Sequence, residues 1–156
     1  MKDYANILGS EEAKSSVKIK DISEFLYEHH YDDLKKLGLK FDEPRSIAYH
    51  APCHLYHGQK IIDTPARLLS VIKNVNVTLL DENDICCGSA GTYNIERPEM
   101  AGALLERKMG VIRQNASDIV ATANTGCLMQ LQSGLSGIDS HPQVYHFIEI
   151  IASLIH

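Results

Sequence analysis

From about residue 45 onward, short apolar runs alternate with longer helical stripes, and polar loops separate them. Four runs are apolar or β-branched and short enough for buried parallel strands: Ile47–Tyr49, Val75–Leu80, Ile119–Ala123 and Val144–His146. Between them the apolar period changes. Thr64 reads as an N-cap with Pro65 at the first helical position, and Leu68, Leu69 and Ile72 then make one stripe. Pro98 opens a second helix in which Ala101, Leu104, Leu105, Val111 and Ile112 recur at helical spacing. A last helix runs from about Phe147 to the end. This alternation predicts βαβ units, and so an α/β fold with a mainly parallel four-stranded sheet flanked by helices.

The stretch 1–45 is polar and helix-prone, with Ser10-Glu-Glu as a helix start and Asp21-Ile-Ser-Glu-Phe-Leu-Tyr as a short amphipathic helix. Lys35-Lys-Leu-Gly-Leu supplies a glycine stop. The expected organisation is a helical extension over 1–45 followed by one domain over 46–156, without internal repeats or low-complexity segments.

Composition narrows the classes of function. The 156 residues are 44% hydrophobic and 22% charged, which suits a single globular domain with a real core. A net charge of −5 without a basic run lacks the electrostatic footprint of a nucleic-acid binder. No apolar run approaches the roughly 20 residues that span a bilayer, and the opening Met1-Lys-Asp-Tyr lacks the apolar core of a secretory signal. The expected location is cytoplasmic. Four cysteines are few for a disulfide scaffold of this length, and in a reducing compartment grouped cysteines more often serve metal or redox chemistry.

Three of the four strand candidates are followed within a few residues by cysteine: Tyr49 by Cys53, Leu80 by Cys86 and Cys87, Ala123 by Cys127. In a parallel sheet these loops emerge at one edge, the carboxyl ends of the strands, where such folds place their sites. A single buried cysteine is ordinarily a small core hydrophobe, but four at corresponding strand ends can converge. Soft thiolate ligands suit iron–sulfur clusters and tight zinc sites alike. Gly88 after the vicinal pair and Gly126 before Cys127 let backbone N–H groups turn toward sulfur. A dithiol switch between Cys86 and Cys87 is a further reading, against which stands the strained ring that adjacent cysteines close.

Histidines flank the first cysteine. His50, His54 and His57 offer imidazole as ligand or as hydrogen-bond partner to a ligand. His29, His30 and His141 read as surface or loop residues, and His146 as a core histidine at a strand end. The chain carries no serine nucleophile elbow, Walker loop or dinucleotide glycine fingerprint. It therefore shows no means of catalysis without a metal.

The segments Ala51-Pro-Cys-His-Leu-Tyr-His-Gly-Gln, Cys86-Cys-Gly-Ser-Ala-Gly-Thr-Tyr-Asn and Asn124-Thr-Gly-Cys-Leu-Met-Gln-Leu resemble the cysteine-rich CCG domain of glycolate oxidase iron–sulfur subunits, a domain type shared with heterodisulfide reductase and lactate-utilisation subunits. The resemblance covers about Asp21 to the C-terminus. It implies an electron-transfer part of an oxidoreductase complex, with an iron–sulfur cluster, 4Fe-4S in type, on Cys53, Cys86, Cys87 and Cys127. Electrons would pass from a flavoprotein subunit that oxidises glycolate or another 2-hydroxy acid toward a membrane quinone. The complex would sit in the cytoplasm or peripherally at the inner face of the membrane, with no transmembrane segment in this chain. Full-length members resemble a ferredoxin-like domain followed by two cysteine-rich repeats, so the chain is expected to be a fragment holding the second repeat, its partners being the rest of the iron–sulfur subunit and the flavoprotein. Where many members end in Cys-x-x-Cys, this chain has Asn124-Thr-Gly-Cys, one thiolate fewer than relatives that hold a non-cubane cluster on five sulfurs. Zinc in a subunit-interaction domain is the alternative occupant, an isolated fragment without metal is another state, and a heterodisulfide-cleaving or redox-sensing site ranks last for want of a second thiol pair.

Overall fold

A computed structural model describes residues 19–137 and 142–155. The helix start at Ser10 and the loop histidine His141 lie outside the described residues. The first described element, α1 (Ile22–Leu37), follows from its ends: the Asp21 carboxylate accepts the N–H of Ser23, and the Glu24 side chain accepts the N–H of Asp21. Gly38 stops the helix in the left-handed conformation, φ 66°, its N–H bonded to the carbonyl of Lys35.

The chain then enters β1 (Lys40–His50), passes through a π-helical turn (His54–Gln59) and α2 (Thr64–Leu69) to β2 (Lys73–Leu79), and returns through α3 (Tyr93–Glu96) and α4 (Pro98–Asn115) to β3 (Ile119–Thr122). Helix α5 (Thr125–Leu135) leads to β4 (Gln143–His146) and α6 (Phe147–Ser153). The four strands form one parallel sheet in the order β2-β1-β3-β4, the architecture expected.

Boundaries differ in instructive ways. β1 begins seven residues before Ile47, through an exposed stretch containing Pro44 and a register irregularity between Lys40 and Arg45. Thr64 is the first residue of α2 rather than its cap, because the carbonyl of Asp63 already accepts the N–H of Arg67. Leu34 and Leu39 share a buried cluster with sheet residues Ile47, Tyr49 and Ala121, so α1 contributes to the core.

Alternation along the central strands divides that core in two. Ile47, Tyr49 and Ala121 face α1, α2 and α6, burying Leu68, Leu69, Phe147 and Ile151. Ala48 and Val120 face α4 and α5, burying Met109, Ile112, Leu131 and Leu135. The winding direction reverses between β1 and β3, and right-handed crossovers then require helices on opposite faces. The crevice outside the carboxyl ends of β1 and β3 is thus the topological switch point of the sheet.

Candidate metal centre

Cys53 follows β1 at this switch point. It lies between Pro52, whose carbonyl receives the N–H groups of Leu55 and Tyr56, and the fully buried Leu55. Cys86 and Cys87 follow a loop after β2 that is fastened at three successive residues. Glu82, in the left-handed region at φ 51°, gives its carboxylate to both arms of Arg107 at 2.8 and 2.9 Å, while its carbonyl accepts Lys108 Nζ at 2.6 Å. Asn83 accepts the N–H of Ala51 at 2.9 Å and donates to the carbonyl of Tyr49 at 3.1 Å. The Asp84 carbonyl accepts His57 Nε2 at 2.8 Å. Sheet end, π-helical turn and α4 therefore hold the loop that delivers the vicinal pair.

Cys127 was expected on a loop and stands instead in the first turn of α5, its N–H capped by Asn124 Oδ1 at 3.0 Å. The helix forms because Asn124 caps it and Leu128, Leu131 and Leu135 repeat on its inner face.

All four cysteines are free thiols, Cys87 and Cys127 buried, Cys53 and Cys86 half-buried. They associate as two pairs. Burial and the neighbouring sulfur of Cys86 raise Cys53 above the ordinary thiol range. The thiol of Cys127, then the hydroxyl and N–H of Ser89, hold Cys87 down to about 6 against the opposing effect of burial. The same contact with Cys87, with burial, pushes Cys127 well above the ordinary range. Ser89 Oγ stands 3.6 Å from Cys87 Sγ and 4.0 Å from Cys127 Sγ. Among the described residues, no group of three or more His, Cys, Asp or Glu side chains is set to hold a single metal ion.

The two glycines act differently from one another. The N–H of Gly88 donates to Cys86 Sγ at 3.3 Å. Gly126 instead permits close approach, since a Cβ there would meet Asn124 Oδ1 at 3.1 Å and Ser89 Oγ at 3.4 Å.

Of the histidines, His50 alone is buried among the described residues. Its Nδ1 lies 3.3 Å from Thr122 Oγ1, and its Nε2 has no hydrogen-bond partner. Burial, assisted by the charge of Lys108, lowers it to about 3 and keeps the ring neutral. His54 and His57 are exposed beside Cys53, and His29 and His30 are exposed on α1, as expected. His146 is half-buried and caps α6 through Nδ1 and the N–H of Ile148 at 3.4 Å, rather than filling a core.

Ser89, Asn83, Glu82, Arg107 and Lys108 went unnoticed in the sequence. Lys108 alone left a signal, a charged residue on the apolar stripe of α4 between Leu105 and Ile112. A cleft of about 1120 Å³ opens at the amino ends of β3 and β4, lined by Arg113, Ile119, Gln132 and Gln143. No cysteine lines it, and it lies at the opposite end of these strands from the thiols.

The family model for the cysteine-rich CCG domain matches residues 47–132, and the chain belongs to that family. It is 32% identical over 145 residues to the probable glycolate oxidase iron-sulfur subunit of Bacillus subtilis, covering 91% of this chain and 32% of that protein. It is 35% identical over 133 residues to the glycolate oxidase iron-sulfur subunit of Escherichia coli, covering 84% and 30%. Similarity extends to a fumarate reductase (CoM/CoB) subunit of Methanothermobacter marburgensis, 31% over 119 residues, covering 76% and 23%. The chain thus spans about a third or less of the length of these relatives. No helix among the described residues is long and apolar enough to cross a membrane.

Proposed function

We propose that this chain is the C-terminal cysteine-rich domain of an iron–sulfur electron-transfer subunit in a complex that oxidises glycolate or a related 2-hydroxy acid. The observation that carries this reading is the placement of two thiol pairs, Cys53 with Cys86 and Cys87 with Cys127, beyond the carboxyl ends of β1, β2 and β3, with Cys87 favoured as thiolate. The donor set suits a soft metal centre: Cys53, Cys86, Cys87 and Cys127 would hold it, the Gly88 N–H already meets one sulfur, and the tethered Glu82–Asp84 loop fixes the vicinal pair. When bound, an iron–sulfur cluster supplies a one-electron carrier, of 4Fe-4S type on four thiolates. The residues of this chain orient the ligands, exclude water from Cys87 and Cys127, and tune the charge around them. A flavoprotein subunit would be the donor, quinone the eventual acceptor, and the cytoplasm or the inner membrane face the location.

Anaerobic purification with iron, sulfide and zinc analysis and a visible absorption spectrum tests this. Coloured protein with iron and acid-labile sulfide is the expected result. Colourless protein with one stoichiometric zinc would replace the electron carrier by a zinc-stabilised interaction domain.

A further inference from the structure

Beneath the thiol edge lies a lysine that sheet packing does not call for. Lys108 projects from the inner face of α4 and is fully buried, next to Met109 and Ile112 in the cluster that contains Cys87 and Cys127. Lysine is almost never so buried unless something compensates its charge. Its one hydrogen bond among the described residues is to the carbonyl of Glu82, and the Glu82 carboxylate is taken by the exposed guanidinium of Arg107. The groups facing Lys108 are Glu82, Asp84, Arg107, the neutral His50 and Cys87. An apolar side chain such as methionine would fill this space without the cost of burying a cation. Burial lowers Lys108 below the ordinary lysine range, but Glu82 and then Cys87 act to keep it charged, so the cation lies within electrostatic reach of one thiol of the set.

We propose that Lys108 is a positioning residue of the thiol site: a buried cation that holds the Glu82–Asp84 loop through the main chain and offsets the negative charge of the thiolates and of the centre they bind. This rests on the reading of the thiols as a metal-centre ligand set. A nearby fixed cation favours the more negative, reduced state, so removing it makes reduction harder. An exposed cation acts far less, because solvent and salt screen it.

The test uses the whole chain, reconstituted anaerobically with iron and sulfide. Lys108→Met removes charge and hydrogen bond, Lys108→Gln removes the charge but keeps a donor for Glu82, Lys108→Arg keeps the charge, and Arg107→Gln removes an exposed charge from the same loop. Iron and sulfide content and the midpoint potential are measured for each. The expected result is cluster content near wild type, with reduction disfavoured about tenfold in the Met and Gln variants, a shift of about 59 mV for a one-electron couple. The potential should stay near wild type in the Arg variant and in Arg107→Gln. Equal potentials in all folded variants would overturn the inference while leaving the cluster assignment intact. Loss of folding in both neutral variants, with Lys108→Arg intact, would assign Lys108 to the fold alone and also overturn it. If the wild-type chain takes up zinc and no iron, the cluster assignment fails, and Lys108 is read from zinc affinity, since four thiolates around Zn²⁺ also make an anionic site: a tenfold weaker affinity in the neutral variants supports its role, and unchanged affinity removes it. A wild-type chain that takes up neither overturns both.

Discussion

At Gly88 the chain turns with φ 94°, and its backbone passes so near α4 that a Cβ would lie 2.4 Å from the carbonyl oxygen of Ala101. Both the dihedral and the contact exclude a side chain, and the contact is with backbone that cannot swing aside. Gly88→Ala is therefore expected to cost at least about 1–3 kcal/mol of stability, read as a lowered urea midpoint, and to weaken the N–H contact to Cys86. His50 makes a different prediction. Its folded value of about 3 lies below the ordinary histidine value near 6.5. Between these limits the unfolded chain binds a proton that the folded chain refuses, so stability rises with pH there. The contribution is fully present above pH 6.5 and is lost as pH falls toward 3. In urea titrations between pH 7 and 4, His50→Gln should show a shallower loss of stability than wild type, and an identical slope would mean that other groups govern acid unfolding.

Among the elements, α5 ties the fold most directly to the site, because one residue, Asn124, both starts the helix and fixes the N–H of Cys127. Asn124→Ala should cost about 1 kcal/mol of stability, measured by thermal or urea unfolding, and, if the thiols hold the proposed metal centre, should lower metal retention more than an exposed substitution of equal cost. The start of α5 was illegible in the sequence because its capping residue belongs to the same Asn124-Thr-Gly-Cys segment that reads as a ligand loop. The two central strands were legible for a simple reason: Ile47–His50 and Ile119–Thr122 are buried on both faces and so appear as apolar runs, whereas the edge strands β2 and β4 are largely exposed and showed only through their β-branched residues. Lys40–Ser46 did not, since that half of β1 is largely exposed and contains Pro44. The cysteines themselves were visible at the strand ends. Their supports were not, because Asp84 acts through its backbone carbonyl, Glu82 through its carbonyl and a carboxylate paired with Arg107 twenty-five residues away, and Asn83 through partners more than thirty residues away, which no local pattern records.

On the scale of the whole molecule, the thiol edge belongs to a chain that spans about a third of the length of the glycolate oxidase subunits it matches. Buried Cys87 and Cys127 share Ser89 and join the cluster formed by α4 and α5, whereas Cys53 and Cys86 are half-buried at the rim. Replacing either inner thiol by serine removes a soft ligand and leaves a harder, poorly ionised hydroxyl in its place. If the proposed electron-transfer role holds, Cys87→Ser and Cys127→Ser in a full-length subunit should abolish electron flow to the acceptor while substrate still reduces the flavin of the flavoprotein. A site that only stabilised the fold through zinc would behave otherwise, giving an unstable subunit and failed assembly. The two outcomes separate in one preparation, by assembly on a sizing column, flavin bleaching with substrate, and reduction of the terminal acceptor. Assembled complexes that transfer electrons at the wild-type rate after both substitutions would show that the thiol edge is not part of the electron path.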